Sequence, residues 1–258
     1  MDSKKAGVNS VFADNLRIMV SSIAISGLFQ SNKKPQSEEE TLTDTLPSVF
    51  VIGSSLTLAM HPYMQMMCQG RLAYSRKGEE PDEIALALRD LDTPQGAAGG
   101  DSSMVLAYLS ELEQTDSFHP DIVLLATGGH DLRKNVELGT YQVPIKNFCK
   151  NLESIVQWFT ARSIKLAWMR IGPLDEKLHN SRAKSFHRYE IDVDAYNQAA
   201  EEILKRYTVH ILDFPGFTRG LGKLEDIVYD HVHFKDEIVR QQAAYVVGFL
   251  EGLAPGSR

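Results

Sequence analysis

A chain of 258 residues with 43% hydrophobic and 24% charged residues has ordinary globular composition, which excludes collagen-like, low-complexity and wholly disordered readings. At this length about 70–75% of the unfolded surface can be buried, so no disulfide or metal staple is required. The 27 basic and 34 acidic residues leave a formal net charge of −7, without the basic excess of a duplex binder, so nucleic acid is not an expected partner.

In chain order, the first feature is Ile18 to Phe29 (IMVSSIAISGLF), a moderately apolar stretch after Lys4, Lys5 and Arg17. It is shorter than the ~20 residues that span a bilayer. It reads equally as an export h-region, an anchor or a helix docked on the domain. A long preceding segment with Asp2 and Asp14, and the lack of an A-x-A site, weigh against export. Membrane association and compartment stay open. Residues 31–47 (SNKKPQSEEETLTDTLP) are polar and charged, which reads as a solvated linker. The expected division is therefore an N-terminal extension over 1–45 and one catalytic domain over 46–258. Cys68 and Cys149 form no disulfide framework and no C-x-x-C dithiol, and read as two buried free thiols.

Four short apolar runs follow: Ser48–Ile52, Asp121–Ala126, Ile164–Ile171 and Val209–Asp213. Each ends near glycine or proline, the pattern of a strand buried on both faces. Stripes at 3–4 spacing separate them. One holds Val105, Tyr108, Leu109 and Leu112 after the candidate N-caps Asp101 and Ser102. A second runs from Ile145 to Phe159 behind Pro144, a third over Tyr196–Leu204, and a last over Val239–Leu250. Strands alternating with amphipathic helices predict a parallel sheet covered on both faces, whose ligands bind beyond the carboxyl ends of the strands.

The polar residues expected there are Gly53-Ser54-Ser55, Gly99-Gly100-Asp101-Ser102, Gly128-Gly129-His130-Asp131 and Asp230-His231-Val232-His233. Together they can supply a hydroxyl nucleophile, a base, a group that orients the base, and donors for an oxyanion. Any one of them alone is commonplace: a capping serine, a tight turn, a packed histidine, a solvated loop. Their order at successive strand ends is what points to acyl transfer. Asp230 and His233 are three apart, so one turn of backbone can bring the carboxylate to one ring nitrogen while the other faces Ser55. His231 is out of phase for this, and Asp213 is a reserve candidate for the orienting acid.

From about Ser48 to the C-terminus the chain resembles the SGNH hydrolases, also called the GDSL esterase/lipase family. VFVIGSSL resembles the first block, with Ser54 where aspartate is usual and Ser55 at the nucleophile. GGDSS resembles the second block, with Gly100 as its glycine. ATGGHD resembles the third block, with His130 in place of asparagine. DHVHF resembles the last, with Asp230 and His233. YQVP and DVDAYNQAA also resemble a branch with Gly-x-His-Asp in the third block. The resemblance implies a three-layer α/β/α, flavodoxin-like fold and ester hydrolysis through an acyl-serine, with no metal or organic cofactor. It implies a small-molecule or glycan ester as substrate, with a short acyl group, acetyl, on a carbohydrate. Two alternatives are a lipase-like or lysophospholipid esterase and, in another class, a binding protein that keeps the fold without catalysis. His130 is expected to be a neutral oxyanion donor whose second ring nitrogen accepts a bond.

Overall fold

The computed structural model describes residues 46–255 except Leu91 and Asp116. The expectations for the apolar stretch 18–29, and for all but the end of the linker, lie outside the described residues.

Five parallel strands form the sheet: β1 (Ser48–Gly53), β2 (Ala73–Arg76), β3 (Ile122–Ala126), β5 (Lys165–Met169) and β7 (His210–Leu212), in the order β2-β1-β3-β5-β7. Each apolar run of the sequence becomes one of these strands: the first gains Gly53, and the other three are shortened. All of β3 is buried, as a central strand covered on both faces must be. Asp121 lies just before it. Its carboxylate accepts from the Ser48 N–H and hydroxyl, each at 2.7 Å, and ties the starts of β1 and β3 together. A two-stranded antiparallel pair, β4 (Lys134–Asn135) and β6 (Phe186–His187), lies outside the main sheet.

The helices are α1 (Ser55–Cys68), α2 (Pro81–Arg89), α3 (Ser102–Leu112), α4 (Ile145–Ala161), α5 (Glu176–Arg182), α6 (Glu190–Leu204), α7 (Phe214–Gly220), α8 (Leu224–Ile227) and α9 (Asp236–Leu253). Helices α3, α4 and α6 pack in one layer. Their Val105, Leu109, Phe148, Leu152, Tyr196 and Ala200 share a core with Val123, Leu125 and Trp168 of the sheet. Alternate strand residues face the other way, and α1, α7 and α9 pack together in the second layer. The predicted stripes form these buried faces, except that Ile145 at the start of α4 is exposed. Cys68 is buried, but Cys149 is only half-buried, because it flanks the α4 stripe rather than belonging to it.

Strand order reverses direction between β1 and β3, so their carboxyl ends frame the crevice in which open α/β sheets place a ligand. The chain leaves β1 into Ser54-Ser55 and leaves β3 into Gly128-Gly129-His130, both at that crevice.

Candidate active site

Ser54 follows β1 as an extended residue, and Ser55 opens the 14-residue helix α1. The backbone N–H of Ser55 therefore belongs to the first helical turn, whose amides have no partner within the helix. Ser54 occupies the N-cap position, yet its hydroxyl makes no capping bond. The local turn is instead tied by Ser54's carbonyl, which accepts from the Thr57 hydroxyl at 2.8 Å and from the Leu58 N–H at 3.1 Å.

The loop between α8 and α9 folds back on itself through a bridge between Val228 and Phe234. Within it one Asp230 oxygen accepts from the Val232 and His233 N–H groups, each at 2.7 Å. The other lies 2.7 Å from His233 Nδ1, and His233 Nε2 lies 2.8 Å from Ser55 Oγ. Burial alone would raise the Asp230 carboxyl. The hydrogen bond and charge of His233, with the two backbone donors, outweigh burial and hold it well below the usual carboxylate range. Arg182 of α5 donates to the Asp230 carbonyl at 2.7 Å, steadying the loop from outside.

The other candidates fall elsewhere. His231 turns to His179, with Nδ1 to Nδ1 at 2.8 Å, away from the Ser55 contact. Asp213 caps α7, accepting from the Gly216 N–H at 3.2 Å, and pairs with Arg170 at 3.1 Å. It takes no part in orienting His233.

Gly99 and Gly100 bring the start of α3 against the end of β1. The Gly99 N–H donates to the Gly53 carbonyl at 2.7 Å, and a Cβ on Gly99 would stand about 3.0 Å from the Gly53 backbone. Gly100 has φ +73°, and a Cβ there would run into Met104. Asp101 then caps α3, as expected, while Ser102 becomes its first residue and binds Asp131. The buried Asp131 carboxylate accepts from the Ser102 N–H at 3.1 and 3.0 Å and from its hydroxyl, so it fastens the loop carrying His130 to the loop carrying Gly100. Sequence reasoning did not single out Asp131; its place directly after His130 in the third block was the available signal.

His130 is buried. Burial, with the charges of Arg133, Arg188 and His233, pushes its ring well below the usual histidine range, so it is neutral. Its Nδ1 is buried with no hydrogen-bond partner. The expected acceptor bond at the second nitrogen is therefore not made, because the surrounding loop offers Nδ1 no donor.

These shifts set the acid stability of the protein. Burial, followed by neighbouring positive charge, lowers His61 to about 4 and His179 to about 3, and His130 moves the same way. Burial raises Asp131 to about 6 against the opposing bonds from Ser102. Lowered histidines contribute stability that is lost as pH falls below the unfolded value of 6.5. The raised Asp131 contributes stability that is present below about 4 and lost as pH rises through 6. At pH 5 unfolding takes up one proton at each of the three histidines and releases one from Asp131. The histidines outnumber the opposing carboxyl, so acid lowers stability across this range, and the lowered His231 acts in the same direction. Denaturant titrations should therefore show lower stability at pH 5 than at pH 6; equal stabilities would remove the buried neutral histidines from the account.

Two spaces adjoin at His130, one of them reaching the Ser55–His233 contact. A cavity of about 60 Å³ is lined by Ser55, His130 and His233, by apolar Leu56, Leu132, Ile171, Leu174 and Val193, and by Arg188. An open polar groove of about 680 Å³ is lined by Asp101, Asn135, Tyr141 and Gln142 among others. His130, Asp92 and Arg133 border both. Among the described residues no cluster of three His, Cys, Asp or Glu side chains is arranged to hold a metal ion.

The family model for the GDSL-like Lipase/Acylhydrolase family matches residues 52–240, and the chain belongs to that family of carboxylic ester hydrolases. Comparison with the curated proteins found no match. Among solved structures the chain is similar to the acetyl xylan esterase AlAXEase, at 17% identity and TM-score 0.55 over 79% of this chain and 99% of that one. It is similar to the lipase/acylhydrolase from Enterococcus faecalis, at 13% identity and TM-score 0.59 over 83% and 100%. A third is the psychrotrophic esterase EstA from Pseudoalteromonas sp., at 16% identity and TM-score 0.53 over 80% and 97%. At these identities the likeness establishes the fold.

Proposed function

We propose that the protein hydrolyses a short acyl ester, acetyl for preference, carried by a carbohydrate, with Ser55 as nucleophile, His233 as base and Asp230 as its orienting acid. The hydrogen-bonded chain from Asp230 through His233 to Ser55, at 2.7 and 2.8 Å, carries this reading. His233 Nε2 takes the hydroxyl proton as Ser55 Oγ bonds to the ester carbon. Asp230 holds the other proton on Nδ1 and stabilises the imidazolium. The carbonyl oxygen becomes anionic beside the N–H groups of Ser55 and Gly100 and the His130 ring. Collapse breaks the bond to the alcohol, which leaves with the proton from His233. A water molecule then repeats the sequence on the acyl-serine and frees the acid and the serine.

The substrate class rests on the two spaces. A site needs ~10–15 Å³ of such space for each water-sized group, so the cavity of about 60 Å³ has room for a few of them, which suits an acyl group the size of acetyl better than a lipid chain. The groove, with Tyr141, Gln142, Asn135 and Asp101, offers the polar and aromatic surface a sugar needs. Forcing a longer chain into a packed pocket costs about 1–3 kcal/mol. An octanoyl ester should therefore show a kcat/KM about five- to a hundredfold below its acetyl counterpart, and acetylated glycans should release acetate. Equal or faster turnover of octanoyl esters would favour the lipase-like alternative, and failure of a fluorophosphonate to label Ser55 would favour a binding protein.

A further inference from the structure

Arg188 sits at the cavity and has no role in the chemistry just described. Its side chain is 7% exposed, and it comes from the polar stretch between β6 and α6. Nε donates to the Gly129 carbonyl at 2.9 Å, and the guanidinium lies 5.0 Å from the centre of the Phe186 ring. Nη1 is buried with no partner. Among the described residues no carboxylate lies within 4 Å of it.

The neighbouring charges leave this cation without an ion-pair partner: the Asp92 carboxylate offsets it only from beyond salt-bridge distance and is itself engaged by Arg133. Arg133 also packs on Phe186, at 4.2 Å, but its guanidinium is engaged by Asp92, through the backbone carbonyl and a carboxylate oxygen at 3.9 Å. His130 and His179 are neutral. Burial, and then the Arg133 charge, lower Arg188 to about 9 against the opposing charge of Asp92, so it remains protonated at neutral pH. An unpaired buried charge is strongly unfavourable unless a ligand pairs with it. With Nε given to Gly129, the two Nη groups are the parallel donors left to match a carboxylate.

We propose that Arg188 is a carboxylate subsite of this cavity, so that the preferred ester carries an acid group. The inference rests on the reading of Ser55 as the nucleophile, since it places the acid group next to the ester bond. The same carboxylate can be the far end of the acyl group, as in a malonyl ester, or belong to the alcohol, as in an acetylated uronate. Arg188 lines the cavity and not the groove, whereas Arg133 borders both.

Two matched pairs of substrates separate these sources on the full chain. One pair is a malonyl and a malonamoyl ester of methyl glucoside; the other is acetylated methyl glucuronoside and acetylated methyl glucoside. In the wild type, one pair should favour the acid by about tenfold or more in kcat/KM, the scale of a hydrogen bond to a charged group. That pair names the source. Arg188→Met should bring the ratio close to one, and Arg188→Lys, which keeps the charge without the fork, should retain part of it. A purely structural Arg188 would lower both members of a pair together and leave the ratio unchanged, which overturns the subsite. So does the absence of an acid preference in both pairs of the wild type, whatever the variants do. Binding gives a readout independent of turnover: malonate should raise the Tm of Ser55→Ala protein above an ionic-strength-matched chloride control. If no ester is turned over but malonate still stabilises, the hydrolase reading fails and the subsite stands. If esters turn over without acid preference or malonate stabilisation, the reverse holds.

Discussion

Ser55→Ala should remove ester hydrolysis and leave the fold intact. The loss should approach about six orders of magnitude in kcat, the scale seen when a triad serine is deleted. The contrast with Ser54 makes the result diagnostic. The two hydroxyls are adjacent, but only that of Ser55 lies 2.8 Å from His233 Nε2. Ser54 contributes its carbonyl to the turn, and its hydroxyl makes no capping bond, so Ser54→Ala keeps the bonds that shape the corner. That variant should retain most activity, and so should His231→Ala, whose ring is bonded to His179. Kinetics with an acetyl ester and a thermal melt on each variant check both halves. An inactive Ser54→Ala beside an active Ser55→Ala would exchange their roles.

The readability of the fold follows from which faces each element buries. β1, β3 and β5 stand out in the sequence because inner parallel strands must be apolar on both sides, and the α4 stripe because one face meets the core. Strand β2, Ala73–Arg76, carries no such signal. It is an edge strand with one buried side chain, and that residue is Arg76, which is satisfied by the carbonyls of Lys77, Thr57 and Ala97. Helix α1 was invisible for the opposite reason. Thr57 to Met64 are buried without interruption, so no polar face marks a 3.6-residue period, and Pro62 sits inside the helix. The candidate site shows the same division. Ser55, Asp230 and His233 could be proposed from spacing because their partners lie at strand ends or three residues apart. Arg188 could not, because a single arginine in SFHRYE looks solvated until Phe186 and the Gly129 carbonyl enclose it.

His130→Ala should slow turnover by two to three orders of magnitude, since removing one oxyanion donor typically raises the barrier by ~2.7–4 kcal/mol. The ring must be neutral to act this way, and its burial beside Arg133, Arg188 and His233 keeps it so. The unpartnered Nδ1 then decides the tautomer. A buried N–H without an acceptor is rarer, and costs more, than an acceptor without a donor. The proton therefore belongs on Nε2, and Nδ1 is left as a bare lone pair. With the proton there, the ring can donate toward the cavity it shares with Ser55. Asparagine carries an NH2 that can donate toward the same oxygen, on a shorter side chain and with a carbonyl oxygen to bury beside it, so His130→Asn should recover part of the lost rate. The alanine effect should appear in kcat more than in KM, because the bond strengthens only as the oxygen becomes anionic. Nitrogen chemical shifts of His130 in the free protein test the tautomer directly, with Nε2 expected as the protonated nitrogen. Near-normal kcat in His130→Ala would leave the oxyanion to the backbone N–H groups of Ser55 and Gly100 and make His130 a packing residue of the third loop.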